Sequence, residues 1–570
     1  RYESMSVNTD YGKYSFSTDQ WIAAPKDPAD LYTRMAYVRE NHWKLTHLLN
    51  YNQTFYKHDI GMLLGFEEER FVKRTTDTAK LGLIDSSVGD SSSATTPSSI
   101  GGTGEEFTSR SYFGRINYAF DSRYLFEVNM RYDGSSRFAP DNRWGLFPSF
   151  SAGWRISEER FMKGLPIDNL KLRASWGKLG NNAIGNYEWQ AVYNSAKYAF
   201  GGSLNNGLAI TSISNNLLEW ESTAITNIGI DFATLRNRLT FEAEFYNKVT
   251  DGILYRPDMY MSLGTASGPR QNIAEVTNRG IEMTLNWQDR IGKVEYRVSG
   301  NFAYNQNKVS KYKGELQRGW VTDENGNRVY QTNIGDVSTG GSTRVIEGKM
   351  INEYYMLQPY KGSGNGFNAD GTVNINGGPR DGMIRTVDDM KWLNAMVGAG
   401  YKFYPRQNVS KSGIWYGDYI YADLNGDGVY GNDADNEFQG CSNVPKYNFG
   451  LQASANWKGF DFSMNWSGAA GFKIYYYRLA LNSSATIKGY AIGEAIANDH
   501  YFFDPKNPND PRTNLSSKNP RLTNNSGNDQ SGMTQSSVHL QKGDYIKLKN
   551  LTIGYTLPAV LSKKVYAQNI

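Results

Sequence analysis

The residues best placed to do chemistry lie in one short acidic run, Asp423-Leu424-Asn425-Gly426-Asp427-Gly428-Val429. Side-chain oxygens at Asp423, Asn425 and Asp427, a glycine at the sixth position for the sharp turn, and the carbonyl of Val429 reproduce the opening of a calcium loop. Five oxygens on a bent loop suit a hard cation. The twelfth position is Ala434 rather than a bidentate glutamate, so closure falls to a neighbouring acid, Asp433 or Asp435, after a one-residue shift. The same run also reads as an Asx-rich turn between strands with no ion, and without flanking helices it implies no EF-hand.

Other candidates are weaker. Glu242 and Glu244 point to one side of a strand, and paired carboxylates hydrolyse glycosides when suitably spaced. Same-face acids are equally routine on a solvated wall. His42, His47 and His58 lack a metal-site spacing, and His500 and His539 stand alone. Gly362-Ser363-Gly364-Asn365-Gly366 and Gly398-Ala399-Gly400 lack the strand-turn-helix context of a phosphate site. Cys441 is the only cysteine, which excludes an intrachain disulfide and paired-thiol metal sites, and no GxSxG supplies a nucleophile.

The 570 residues carry 61 basic and 57 acidic side chains, spread along the chain, for a net charge of +4. This is not the clustered footprint of a nucleic-acid binder, and no nucleic-acid partner is expected. No apolar run nears the roughly 18 residues of a spanning helix, while aromatic residues make up 14% of the chain, a combination that argues against a helical membrane protein and leaves a membrane barrel open.

The elements that would position these residues are strands. Tyr112, Gly114, Ile116, Tyr118 and Phe120 form an apolar face opposite Phe113, Arg115, Asn117 and Ala119. After Asp121-Ser122-Arg123, Phe126, Val128, Met130 and Tyr132 oppose Glu127, Asn129 and Arg131. Alternation of period two across a tight polar turn is the antiparallel hairpin signature. It recurs at 239–245, 281–287, 296–304 and 449–466, the last turning at Lys458-Gly459. Several of these strands reach nine or more residues, the length of a bilayer-crossing strand. Short connections alternate with long ones, placed at about 71–110, 178–218, 308–343, 359–413 and 478–537, and the Ser/Thr/Gly stretch 85–104 reads as mobile low complexity. Leu31 to Leu49 is ambiguous between helix and strands. In a barrel the apolar faces turn to lipid, and Arg115, Asn117, Glu127, Asn129, Arg131, Glu242, Glu244, Asn301 and Asn305 line the wet interior.

Specific strings then resemble the SusC/RagA family of TonB-dependent outer-membrane transporters: Tyr112 to Tyr118, Arg131 to Phe138, Phe147-Pro148-Ser149, Gly153 to Ser157, Leu170 to Gly177, Asn278 to Glu282, Asp423 to Gly428, Pro445-Lys446-Tyr447, Lys458 to Asp461 and Tyr545 to Leu551. The resemblance covers most of the chain and implies an all-β transmembrane antiparallel β-barrel of about 22 strands in the whole protein, partial here, with long extracellular loops and short periplasmic turns. It implies no enzyme but an importer of glycans or peptides in the bacterial outer membrane, in contact with its lipid. A SusD-like surface lipoprotein would serve as lid and the TonB–ExbB–ExbD complex as energy source. Residues 1–570 are expected to be one barrel portion, with the plug, the TonB box and the final strands outside it. No cofactor is required, calcium at the acidic loop excepted. Trp189, Tyr198, Trp320 and Trp415, in long loops, are the candidate substrate contacts, stacking on sugar rings or peptide side chains, or else belong to an interfacial girdle. The alternative is a secreted soluble all-β glycan-binding protein or hydrolase using Glu242 and Glu244.

Overall fold

The computed structural model describes residues 2–7, 11–15, 20–24, 32–83, 90–255, 270–312, 316–322, 328–335, 347–404, 408–476, 493–523 and 536–558. The chain is mainly strand, and fourteen strands belong to the main sheet. They are β1 (Tyr2–Val7), β2 (Tyr32–Phe55), β3 (His58–Leu83), β4 (Ala94–Phe120), β5 (Tyr124–Ser135), β6 (Trp144–Arg155), β7 (Ile167–Asn181), β8 (Glu221–Thr234), β9 (Leu239–Tyr255), β10 (Gln271–Ile291), β11 (Val294–Tyr312), β12 (Tyr447–Trp457), β13 (Phe460–Ala470) and β14 (Tyr545–Tyr555). Hydrogen-bonded order follows chain order throughout.

The chain divides into two compact units, the first holding residues 1–152, 176–223 and 259–272, the second the remainder. In the first, β2 to β5 form antiparallel hairpins whose turns require left-handed backbone, supplied at Tyr56 (φ 52°), Asp121 (φ 50°) and Ser122 (φ 54°). Such turns match the twist of the flanking strands. In the second, β10 to β14 pair in the same way, and Lys458 (φ 48°) with Gly459 (φ 91°) makes the tight turn expected from sequence.

The register of the first unit places residues of one kind in rows. Phe55, His58, Phe120 and Tyr124 lie side by side next to the turns. Gln53, Ile60, Tyr118 and Phe126 follow, then Tyr51, Met62, Ile116 and Val128, then Leu49, Leu64, Gly114 and Met130, then His47, Phe66, Tyr112 and Tyr132. Aromatic rows therefore bound an aliphatic band. The upper row is continuous, with ring centroids 6.4 Å apart for His47–Phe66, 5.4 Å for Phe66–Tyr112 and 4.8 Å for Tyr132–Trp144. Eight residues separate the two rows, about 26 Å along the strand and about 19 Å in height at a tilt near 45°, and the aromatic rows at both ends take the place of a barrel's interfacial girdles. This face is exposed: Leu64 is 62%, Phe126 51% and Met130 48% accessible.

The opposite face is polar and internally bonded. Glu67 takes Lys44 at 3.0 Å and Arg131 at 3.4 Å, while Arg131 also donates to Asp133 at 2.7 Å and to Ser111 at 2.9 Å. His42 meets Glu69 at 2.6 Å, and Asn129 donates to Glu127 at 2.7 Å. Aliphatic and aromatic side chains are thus more exposed than the charged ones beside them, the inverse of a water-soluble sheet. The second unit repeats the design: Trp457, Phe460 and Tyr555 form the row next to the turn, and Tyr304 and Tyr447 the row at the far end.

Several expectations are corrected. The segment 71–110 is not one long loop, because β3 continues to Leu83 and β4 begins at Ala94. The Ser/Thr/Gly stretch lacks alternation, yet its Thr residues suit strands and its backbone pairs with β3, so most of it is strand; 84–89 lies outside the described residues. Leu31–Leu49 resolves as strand from Tyr32 onward. The segments at 178–218 and 308–343 hold further hairpins, Val192–Phe200 with Ser203–Ser212 and Leu316–Thr322 with Arg328–Gly335.

The long connections of the second unit build a core of their own. Trp392, Leu393, Met396, Met383, Ile384, Phe403, Ile414 and Ile420 are fully buried there. Helix α1 (Val387–Gly398) starts at a capping box, in which Asp389 N donates to Thr386 Oγ1 at 3.1 Å and Thr386 N to Asp389 Oδ2 at 2.9 Å. Met390, Leu393 and Met396 recur every three residues and face the core. The sequence reading placed this stretch in a loop and missed the helix, although Thr386 and Asp389 three apart ahead of that apolar pattern is its signal.

Candidate functional site

That folded loop region carries a cavity of about 700 Å³, walled by Trp415, Tyr416, Phe502 and Phe503 and edged by Lys411, His500 and Arg512. Its walls are fixed from behind. Asp418, 2% exposed, receives Arg521 Nε at 2.8 Å on Oδ1, and Arg521 Nη2 at 2.9 Å together with Trp415 N at 2.8 Å on Oδ2. Arg521 also donates to the carbonyls of Lys411 (3.1 Å) and Gly413 (3.2 Å). One carboxylate therefore holds both the backbone of Trp415 and the guanidinium on the cavity wall. Tyr416 packs edge-on against Trp415 and Phe503, at 5.2 and 5.1 Å between ring centroids. Arg512 lies 4.6 Å over Phe502 and is held by Asp510, whose carboxyl that guanidinium lowers to about 2. His500 Nδ1 faces Ile496 O at 3.1 Å. The chemistry on offer is flat aromatic contact with hydrogen-bonding groups at the rim, which suits binding rather than bond cleavage.

Of the four aromatics nominated from sequence, only Trp415 lines this cavity. Trp189 is half-buried, its Nε1 tied to Ser136 O at 3.3 Å. Tyr198 stands 65% exposed on an accessory hairpin beside Phe200. Trp320 lies opposite Tyr330 in a second hairpin, and its side chain falls outside the described residues. Tyr416, Phe502 and Phe503 were missed; the Tyr-Phe-Phe string at 501–503 is a signal without periodicity and gains meaning only once Tyr501, 1% exposed, anchors it to the core.

The acidic loop is held by its own backbone. Asp423 accepts from Gly426 N (2.7 Å) and Gly428 N (2.9 Å), Asn425 Oδ1 from Asp427 N (3.0 Å), and Asp427 Oδ1 from Val429 N (2.8 Å). Asp433 opens a 3-10 turn beyond it. Among the described residues no three Asp, Glu, His or Cys side chains are grouped to hold a metal. With these amides bonded to the Asx oxygens, EDTA is expected to leave the melting temperature unchanged; a fall of several degrees, restored by calcium, would assign the ion to Asp423, Asn425, Asp427, Asp433 and the Val429 carbonyl.

Asp435, fully buried, is the group that ties this loop to its surroundings, accepting from Leu424 N (2.6 Å) and Gly431 N (2.8 Å). Burial raises its carboxyl from 3.8 to about 6, with Asp423 adding to the rise and the amide donors opposing it. A carboxyl raised on folding binds more protons in the folded state. Its contribution is therefore complete below about pH 4 and is lost as pH rises through about 6. Asp435→Asn is expected to flatten that slope, read as melting temperature against pH.

The hydrolase reading is not supported. Glu244 is committed to an ion pair with Arg173, which also reaches Asp231 at 3.0 Å, and Glu242 is exposed with no ion pair among the described residues. The apolar stripes do not press together in stacked layers, as a soluble sandwich needs; they stay uncovered.

Comparison with known proteins agrees with this geometry. The family described as TonB dependent receptor-like, beta-barrel matches residues 2–569. TonB-dependent receptor P39 of Formosa agariphila is 30% identical over 542 residues, covering 90% of this chain and 46% of that protein. TonB-dependent receptor SusC of Bacteroides thetaiotaomicron is 28% identical over 467 residues, covering 80% of this chain and 38% of that one. The chain thus spans less than half the length of these relatives. Among solved structures, the RagAB peptide transporter superposes with a TM-score of 0.70 at 20% identity, over 93% of this chain and 50% of that one, a likeness of fold.

Proposed function

The chain belongs to the TonB-dependent receptor-like β-barrel family and is an outer-membrane protein, and from that premise we propose that it forms part of an energy-coupled importer of oligomeric nutrients, glycans or peptides. The observation that carries this reading is the aromatic-walled cavity held on a folded loop core, in a chain whose strands show a lipid-facing band. A scaffold that turns its apolar face to lipid leaves recognition to its long connections. Energy would come through the TonB–ExbB–ExbD complex. The lid would be a SusD-like surface lipoprotein, a pairing suggested by the similarity to SusC and to RagAB. No step in this scheme makes or breaks a covalent bond in the substrate.

The test is uptake of labelled oligosaccharide and oligopeptide pools by cells expressing the full-length protein, with and without TonB. Uptake of one pool that disappears without TonB is the expected result; uptake independent of TonB would reject energy coupling. Trp415→Ala should weaken capture of that pool roughly fivefold to tenfold, the size of one lost aromatic stacking contact with its buried area, while leaving the amount of protein in the membrane unchanged.

A further inference from the structure

Strands β2, β3 and β4 run for 24, 26 and 27 residues, more than twice the roughly 9–11 that cross a bilayer, so more than half of each continues past the upper aromatic row. On the outward face the first charges beyond that row are matched: Glu68 pairs with Arg110 at 2.9 Å and Glu106 with Arg70 at 2.8 Å. Farther out, Arg39 and Arg74 lie directly opposite each other, both exposed, and among the described residues no carboxylate pairs with either. Like charges directly opposed across a ladder are destabilising, and an anion between them reverses that. The neighbouring strand offers only backbone there, because Gly104 faces Arg74 and Gly102 faces Thr76.

Height decides what anion fits. Arg39 and Arg74 stand eight residues beyond the His47–Phe66 row, about 26 Å along the strand and about 19 Å above it at a tilt near 45°. The polar zone of a phospholipid leaflet is only about 7 Å deep. Arg70 and Arg110, two to four residues beyond the row, sit at that shallower level and already have acidic partners. We propose that Arg39 and Arg74 clamp the phosphate-bearing saccharide headgroup of a glycolipid of the outer leaflet, which lies across the bare glycine backbone of β4. The site is independent of the transport reading, since it lies on the outward face of β2 to β4 and shares no residue with the loop cavity.

The test places the full-length protein in nanodiscs of phosphatidylcholine alone, with and without inorganic phosphate, and of phosphatidylcholine with phosphatidylglycerol, with phosphorylated lipopolysaccharide or with the same lipopolysaccharide dephosphorylated. Lipid retained through detergent exchange is then counted by native mass spectrometry. The phosphorylated glycolipid should be retained, and the Arg39→Gln/Arg74→Gln variant should retain about thirtyfold less, from two surface cations of about 1 kcal/mol each. Arg74→Gln alone should raise the melting temperature in glycolipid-free discs, where repulsion is relieved, and lower it in glycolipid discs, a reversal that a merely structural role would not produce. Equal retention by the double variant overturns the proposal. Equal retention of phosphatidylglycerol or of dephosphorylated glycolipid also overturns it, as does equal stabilisation by inorganic phosphate.

Discussion

Replacing Leu64 by arginine in the full-length protein is expected to destabilise the membrane-inserted state by about 2–4 kcal/mol, the cost of a cation on the lipid face near the bilayer midplane. Leu64 sits in the aliphatic row between the two aromatic rows, beside Leu49 and Gly114, with nothing polar in that row to receive a guanidinium. The measurement is urea-dependent refolding into phosphatidylcholine vesicles. On a water-facing surface a leucine that is 62% exposed would tolerate the change within about 0.5 kcal/mol, so the size of the effect separates lipid from water outside this face. Asn117→Arg is the control. Asn117 lies on the opposite face, across from Glu127, and an arginine there gains a carboxylate neighbour and should cost little.

The second large effect is expected at Asp418. Asp418→Ala leaves the Arg521 guanidinium without its buried counter-charge and Trp415 N without an acceptor, and should destabilise the loop region by about 3–5 kcal/mol. Limited proteolysis should then cut between residues 405 and 523 while the strands stay protected, and capture of substrate should fall further than in Trp415→Ala. Asp418→Ala combined with Arg521→Met should recover part of the loss, because an uncompensated buried charge costs more than an absent pair. A double variant as unstable as the single one would mean that the carbonyl contacts of Arg521, and not its charge, hold the wall.

The strands were legible because lipid-facing and water-facing residues alternate with the strand's own period, as in Tyr124 to Tyr132, and because Lys458-Gly459 and Asp121-Ser122 announce their turns. Legibility failed where one of those signals was missing. Thr95 to Gly104 has no alternation, since beyond the lipid band neither face is constrained to be apolar, and strand pairing there is fixed by β3 rather than by its own composition. The cavity was invisible for a different reason. Trp415 and Phe503 are nearly ninety residues apart and meet only because Tyr501, Arg385 and Asp418 close the loops over a shared core, with Tyr501 Oη donating to Arg385 O at 2.5 Å. The acidic loop illustrates the converse: its spacing fits an ion or a bare Asx turn, and the amide bonds to its Asx oxygens are common to both.

The most direct test of the central claim is solvent and lipid accessibility, residue by residue along β5 and the end of β4. In a Cys441→Ser background, single spin labels at 114–118 and 125–132 of the full-length protein in native outer membranes would be relaxed by oxygen, which partitions into lipid, or by a water-soluble nickel chelate. Oxygen should dominate at Ile116, Phe126, Val128 and Met130, and the nickel chelate at Arg115, Asn117, Glu127 and Asn129, with a period of two. A profile in which both sets favour the nickel chelate would contradict the account, because the apolar rows would then face water and not a bilayer.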